Sequence, residues 1–307
     1  MSTRLRVGLV LGGGGISGMA FHAGVLTALS GVWDARTAEA IVGTSAGSMS
    51  AALMRAGFPP ADYVARVTGS SMSSEGRRVL SGLGPRRPAA RRGRVVPLPA
   101  SPGLLRTAVR RPWRLPPAVW ASAAMPAGSV PSDPSITAFT TLLPTWPAEV
   151  TWVVAVRLSD GARVVFGRDE YPPMGDAIAA STAIPGYFRP VLIGGQRFVD
   201  GGAWSMHSLD LLAEACLDLV IVSAPMSTAA LMAPEAGNLL RVPVRRQLDR
   251  EAAKVRAAGT RVVIFQPDAA LRRVMGSNAM DVTRRAPVAR AVARHVSARL
   301  AADPLLP

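Results

Sequence analysis

Runs rich in Val, Ile and Leu recur at residues 6–11, 40–43, 150–156, 217–223 and 261–265, each short and bounded by glycine or polar residues, and each predicts a strand. Between them the apolar positions take a helical spacing, over 19–29, 46–56, 176–183 and 239–258. Strands that alternate with helices predict an α/β fold, a mostly parallel sheet sandwiched by helices on both faces. Residues 73–146 break this rhythm with many prolines and no strand pattern, which predicts an insertion or cap on the core. The last pattern, 283–301, puts Val288, Ala291, Val292, Val296 and Leu300 near one helical face with arginines opposite, so it predicts an amphipathic helix packed on the body. No internal repeat is visible. The expectation is a single domain over 1–307, with core motifs in 7–223 and a C-terminal extension from 224.

Composition narrows the setting. With 49% apolar residues, 307 residues are ample for a buried core. Arg4 and Arg6 are followed by only a five-residue apolar run, too short for a secretory signal. The uncharged stretch 115–132 contains Pro116, Pro117, Pro126 and Pro131, which argue against a membrane-spanning helix. One cysteine, Cys216, excludes an intramolecular disulfide. Together these predict a cytoplasmic chain able to visit a membrane surface. The net charge of +15 is carried almost wholly by arginine, Lys254 being the only lysine, and such a surface attracts anionic partners. Arg77, Arg78, Arg86, Arg87, Arg91, Arg92 and Arg94 concentrate in one Pro/Gly-rich stretch that reads as a surface loop suited to anionic membranes. The apolar segments after it, with Trp113, Leu115, Trp120 and Met125, are expected to form a lid. Charge without a binding motif or an aromatic stacking pattern predicts no specific nucleic acid partner.

The candidate chemistry begins at residues 12–18, GGGGISG, between the first strand and the first helix. Consecutive glycines there bring backbone N–H groups up to a negative charge, either a bound phosphate or one formed in a reaction. The second stretch is Gly43-Thr44-Ser45-Ala46-Gly47, a G-x-S-x-G between strand and helix, where a tight turn would present the Ser45 hydroxyl and the glycines leave it room. Gly13, Gly15 and Gly18 also satisfy a dinucleotide fingerprint, but the end of the second strand offers Thr44 and Ser45 where a ribose-binding carboxylate belongs, and Asp34 falls before that strand. A P-loop is excluded because no Gly-Lys-Ser/Thr follows. One acyl-transfer site accommodates both stretches, with N–H groups of Gly13, Gly14 and Gly15 facing the oxyanion that Ser45 would generate.

A serine nucleophile needs a base. Of the three histidines, His22 reads as a satisfied helical residue and His295 as a surface residue. His207, seven residues after Asp200, stays a candidate. The other candidate is Asp200 itself, in Phe198-Val199-Asp200-Gly201-Gly202 after the turn Gly194-Gly195.

These three stretches, in this order and with Ala183-Ile-Pro-Gly-Tyr-Phe-Arg-Pro190 shortly before the aspartate, resemble the patatin-like phospholipase family. The resemblance implies a Ser–Asp dyad without histidine, with Ser45 as nucleophile, Asp200 as base, an oxyanion hole at Gly13, Gly14 and Gly15, and supporting glycines at Gly43, Gly47, Gly201 and Gly202. It implies a serine acyl-ester hydrolase acting on lipid or acyl-ester substrates through an acyl-serine intermediate. No cofactor is implied, and the scattered acidic residues and histidines show no metal-ligand spacing. One departure stands out, Ser17 where the family's loop commonly carries arginine. It removes a positive charge but no backbone donor, and it keeps open a catalytically weak, lipid-binding alternative. An α/β-hydrolase triad is the remaining alternative, although seven residues between Asp200 and His207 is a short interval for it. An Asp with the usual pKa of about 3.9 is a poor base, so Asp200 is expected to be desolvated.

Overall fold

The computed structural model describes residues 5–84, 93, 97–229 and 241–303. In chain order the strands are β1 (Val7–Leu11), β2 (Ala40–Thr44), β3 (Val150–Arg157), β4 (Arg163–Phe166), β5 (Val191–Ile193), β6 (Gln196–Asp200), β7 (Leu219–Ser223) and β8 (Arg261–Phe265). The helices are α1 (Gly15–Leu29), α2 (Ala46–Arg55), α3 (Tyr63–Thr68), α4 (Ser74–Ser81), α5 (Pro102–Arg110), α6 (Pro117–Ala124), α7 (Pro134–Leu142), α8 (Met174–Ser181), α9 (Arg241–Ala257), α10 (Ala269–Met275) and α11 (Arg285–Ala302). The strands form one sheet in the order β5-β6-β3-β2-β1-β7-β8, with β4 on β3. Pairings from β3 through β2, β1 and β7 to β8 are parallel, while β4, β5 and β6 form an antiparallel flank. The α/β architecture expected from the alternating pattern is the one observed.

Both faces of the sheet are covered. On one face β1, β2 and β3 pack against α1, α2, α8 and α11 in the larger core cluster. On the other, Leu248, Ala252 and Val255 of α9 join Leu209 and Leu212 over Val10, Val42 and Val220. The last helix docks as its pattern predicts, with Val288, Val292, Val296 and Leu300 buried, although Ala289 rather than Ala291 completes the face. It lies so close to α1 that a Cβ on Gly24 would come within 2.6 Å of the Val292 Cβ, which requires glycine at that crossing.

Two expectations are corrected. The antiparallel flank was not visible as strands because β5 has only three residues, β6 opens on the exposed polar Gln196 and Arg197, and Asp200 reads as a turn residue rather than as the end of a strand. In the proline-rich region, Pro102, Pro117 and Pro134 stand in the first turns of α5, α6 and α7, where a missing N–H costs nothing and a fixed φ favours the helix. The prolines therefore open helices instead of interrupting the chain. Within this cap Leu115 is buried and Trp120 partly buried against Leu104, Val119, Val156 and Val199, so they form its interior, whereas Trp113 and Met125 are exposed. Of the basic stretch, Arg77 and Arg78 lie in α4, and Arg86, Arg87, Arg91, Arg92 and Arg94 lie outside the described residues.

Candidate active site

The register of β3 explains why Ser45 and Asp200 meet although 155 positions separate them in the chain. Val153 and Val154 pair with both β2 and β4, and Ala155 and Val156 pair with both β4 and β6. A strand has two edges, so β2 and β6 must share one edge of β3, end to end. β2 runs up to Thr44 opposite Val154, while β6 runs down antiparallel to Asp200 opposite Ala155. The residue after one tip is Ser45, and the last residue of the other tip is Asp200. β1 ends beside β2, with Leu11 opposite Gly43, so the glycine loop leaves the sheet at the same level. This is the carboxyl end of the parallel strands, at the point where chain order turns from β2 and β3 on one side of β1 to β7 on the other.

Ser45 has φ 53 and ψ −122, a conformation that costs a non-glycine residue about 1–3 kcal/mol and that neighbouring structure must hold in place. Its carbonyl accepts bonds from the Ser48 N–H (2.9 Å) and hydroxyl (2.6 Å), and its own N–H donates to Ser181 Oγ (2.9 Å) at the end of α8. The flanking glycines are steric requirements. A Cβ on Gly43 would lie 2.6 Å from the Ser48 Cα, and one on Gly47 would overlap the Leu11 carbonyl oxygen.

Asp200 is 6% exposed and accepts a 2.7 Å bond from the Gly202 N–H through Oδ1. Burial pushes its carboxyl from the ordinary value of 3.8 up to about 6, against the opposing pull of hydrogen bonds from the Ser45 hydroxyl and Gly202 N–H. The Ser45 hydroxyl is thus near enough to the carboxylate to draw its pKa down, and the desolvation expected from the sequence is present. Gly201, like Gly47, sits where a Cβ would overlap backbone, here the Val154 carbonyl.

The glycine loop divides. The Gly13 N–H donates to the Met206 carbonyl at 2.8 Å, so the expectation that all three N–H groups stand ready for an oxyanion is corrected at Gly13. Gly14 and Gly15 N–H groups have no acceptor among the described residues, and both glycines line a cavity with Ser45. Gly15, at φ 58, opens α1, whose first-turn dipole favours negative charge there. Ser17 is buried, and its N–H donates to the Ala279 carbonyl (2.9 Å) in a loop whose residues 277–280 cover the glycine turn and line the same cavity.

The histidines occupy other places. His22 is fully buried, its Nε2 donating to the Gly12 carbonyl and its Nδ1 accepting from Ser223 Oγ, both at 2.8 Å. Burial holds it neutral, down at about 4. His207 is equally buried and pushed down to about 3 by burial and by His22. Its ring abuts Gly12 behind the loop, and it lines neither cavity described below. His295 is partly exposed, 3.7 Å from Asp268.

Several contributors carry no sequence signal. The segment after Asp200 buttresses the glycine loop through the Met206 carbonyl, and α9 anchors that segment in turn. Gln247 Nε2 donates to the Trp204 carbonyl (2.9 Å), and Glu251 accepts from the Ser205 hydroxyl (2.6 Å) and the Leu209 N–H (2.9 Å). Ser205 Oγ accepts the His207 and Ser208 N–H groups at 3.2 and 2.9 Å. Glu251, raised to about 7 chiefly by burial, lies outside any pattern a serine hydrolase predicts.

Ser45 stands where two cavities meet. One, of about 590 Å³, also holds Asp200 and is lined by Ala118, Met125, Met206 and Met226. The other, of about 650 Å³, is lined by Met49, Ile136, Phe139 and Phe188 together with Arg66 and Arg285. Among the described residues no group of His, Cys, Asp or Glu could hold a metal ion.

The family model described as patatin-like phospholipase matches residues 9–213. Among solved structures, that of VipD from Legionella pneumophila aligns with 98% of this chain and 68% of its own, at 15% sequence identity and a TM-score of 0.47. No curated protein sequence matches the chain. The matched span covers 205 of 307 residues and takes in the glycine loop, Ser45 and Asp200, and the chain belongs to the patatin-like phospholipase family.

Proposed function

We propose that this protein is a serine hydrolase of lipid acyl esters, in which Ser45 is the nucleophile and Asp200 the base. The observation that carries the reading is the Ser45 hydroxyl beside a buried carboxylate that ionises at about 6, on a strained turn that lines two cavities. Such a carboxylate is charged at neutral pH yet a better proton acceptor than an exposed aspartate. Asp200 takes the Ser45 proton as Oγ attacks the ester carbonyl carbon. The Gly14 and Gly15 N–H groups and the α1 dipole face the oxyanion that forms. Collapse breaks the ester bond, the alcohol leaves with the proton held by Asp200, and the acyl group remains on Ser45. Water then gives a proton to Asp200, attacks the acyl carbon and releases the fatty acid, with the proton returning to Ser45.

The aliphatic and Met-rich side chains in the linings of both cavities suit acyl chains better than polar substrates. Against a histidine triad stands the location of His207, behind Gly12 and outside both cavities. No helix among the described residues is long and apolar enough to cross a membrane. The test is hydrolysis of a p-nitrophenyl acyl ester by the wild type and by Ser45→Ala. Turnover by the wild type alone supports the reading, and equal turnover by both removes it.

A further inference from the structure

The cap carries a surface feature that neither its packing nor the dyad explains. Trp113, in the 3-10 turn Pro112–Arg114 between α5 and α6, is 80% exposed, the most exposed large apolar side chain among the described residues. Its position is enforced. The Trp120 indole N–H donates to the Pro112 carbonyl at 2.8 Å, and Leu115 and Val119 are buried beneath, so the turn is pinned while Trp113 points outward. The base of this hairpin is closed by the Ala100 and Ser101 N–H groups bonded to the Met125 and Ala123 carbonyls at 2.9 and 3.1 Å.

Charge around this corner is one-sided. Arg106, Arg111 and Arg114 are exposed, and none has a carboxylate partner among the described residues. Between Glu75 and Asp133 the sequence contains eleven arginines and no acidic residue. An arginine-rich chain alone does not produce this, because elsewhere Arg36, Arg157, Arg163 and Arg245 are paired with carboxylates. The corner also adjoins the site. Ala118, Ala121 and Met125, spaced to share one face of α6 and its C-terminal end, are exposed and line the cavity that holds Ser45 and Asp200.

We propose that the α5–α6 corner docks on an anionic lipid bilayer, with Trp113 inserted at the headgroup level and Arg106, Arg111 and Arg114 on lipid phosphates. Indole rings favour that interfacial depth, and each arginine close to an anionic surface adds about 1 kcal/mol, so the two kinds of contact reinforce one another. Docked this way, the exposed face of α6 turns the smaller cavity toward the bilayer from which an acyl chain must come. Duplex nucleic acid would satisfy the arginines but, with its bases paired and stacked, offers an exposed indole no partner. The inference rests on the lipid-ester reading for its purpose, and the two fail separately in the experiment below.

The test is co-sedimentation with vesicles of phosphatidylcholine alone or with 30 mol % phosphatidylglycerol, for the wild type, Trp113→Ala and the pair Arg111→Ser with Arg114→Ser. Turnover of a soluble short-chain p-nitrophenyl ester and a thermal melt are measured on each. The wild type is expected to bind the anionic vesicles and to be released as salt shortens the Debye length to about 3 Å at 1 M. The double arginine variant should bind about thirty-fold more weakly, two charges at about 1 kcal/mol each, and Trp113→Ala about tenfold more weakly. All should melt alike and turn over the soluble ester alike, since none of these residues lies in the site. Equal vesicle binding by all three proteins, or binding indifferent to lipid charge, overturns the docking surface. So does tighter binding to duplex DNA than to anionic vesicles that is unaffected by Trp113→Ala. Absence of soluble-ester turnover in a folded wild type overturns the hydrolase reading instead, whatever the vesicles show.

Discussion

Asp200→Asn separates the chemistry of the site from its cost to the fold. The carboxyl ionises at about 6 in the folded protein against an ordinary 3.8, chiefly because burial disfavours its charge. At 1.36 kcal/mol per pH unit this displacement amounts to about 3 kcal/mol. The sign follows from proton binding. Between pH 3.8 and about 6 the folded chain holds a proton that the unfolded chain has lost, so this group's contribution favours folding at low pH and declines as pH rises through that window. Above it the full penalty of a buried charge is present. Asparagine keeps the shape and an oxygen for the Gly202 N–H but carries no charge, so the variant should be more stable than the wild type at pH 8 by up to about 3 kcal/mol, on the order of 5 °C in Tm. The advantage should shrink toward zero near pH 4. His22, His207 and Glu251 also titrate with shifted values, but they do so in both proteins and cancel in the difference. The assay is chemical denaturation of both proteins from pH 4 to 8, with ester hydrolysis measured on the same samples, where the variant should lose about 10²-fold or more. A variant no more stable than the wild type at pH 8, or a stability difference independent of pH, would refute the claim that Asp200 is a charge held at the expense of the fold.

Other predictions use the same site. kcat/KM should rise with pH through about 6 as Asp200 ionises, and His207→Gln should leave that limb in place, because His207 is held neutral down to about 3; disappearance of the limb in the variant would reassign it to the histidine. Ser45→Gly should melt higher than Ser45→Ala, since only glycine relaxes at φ 53, with about 1 kcal/mol between them in denaturant titrations; equal stability would show the turn is unstrained. Gly47→Ala should fail to give folded protein or lose several kcal/mol, as its Cβ would overlap the Leu11 carbonyl, while Gly194→Ala, with open space around it, should cost far less in thermal melts despite its positive φ. Glu251→Gln should lower kcat about tenfold while leaving the pH limb near 6 unmoved, because it loosens the segment that holds Asp200 and braces Gly13 without touching the reacting atoms; unchanged kcat would make Glu251 a purely structural group.

How far such a site can be read from a sequence depends on what kind of atom does the work. Gly43 and Gly47 were legible because a tight strand-to-helix turn excludes any side chain at those places, and that exclusion leaves glycine in the sequence. Ser45 followed from them. The parallel core strands were legible because burial on both faces demands continuous apolar runs. The cap helices were obscured because proline marks a helix start as readily as a break, and only the structure distinguishes Pro102, Pro117 and Pro134 in first turns from prolines in loops. The capture of the Gly13 N–H by the Met206 carbonyl was illegible in principle, since every residue carries a carbonyl and side-chain identity does not report on it. Ser181 and Glu251 act through contacts 136 and 46 or fewer positions away, to the Ser45 N–H and to Ser205 and Leu209, and no local pattern marks either. The tip-to-tip meeting of β2 and β6 belongs to this class too, because register along β3 decides it.

The central claim, that Ser45 is a nucleophile activated by its carboxylate partner, is tested most directly by covalent trapping. The folded protein is treated with a fluorophosphonate at pH 8 and digested, and the modified peptide is sequenced by mass spectrometry. A single adduct is predicted on Ser45, formed at a rate that drops at least about 10²-fold in Asp200→Asn and stays near that of the wild type in His207→Gln. An adduct on any other residue, or ester hydrolysis that continues while Ser45 remains unmodified, would contradict the account.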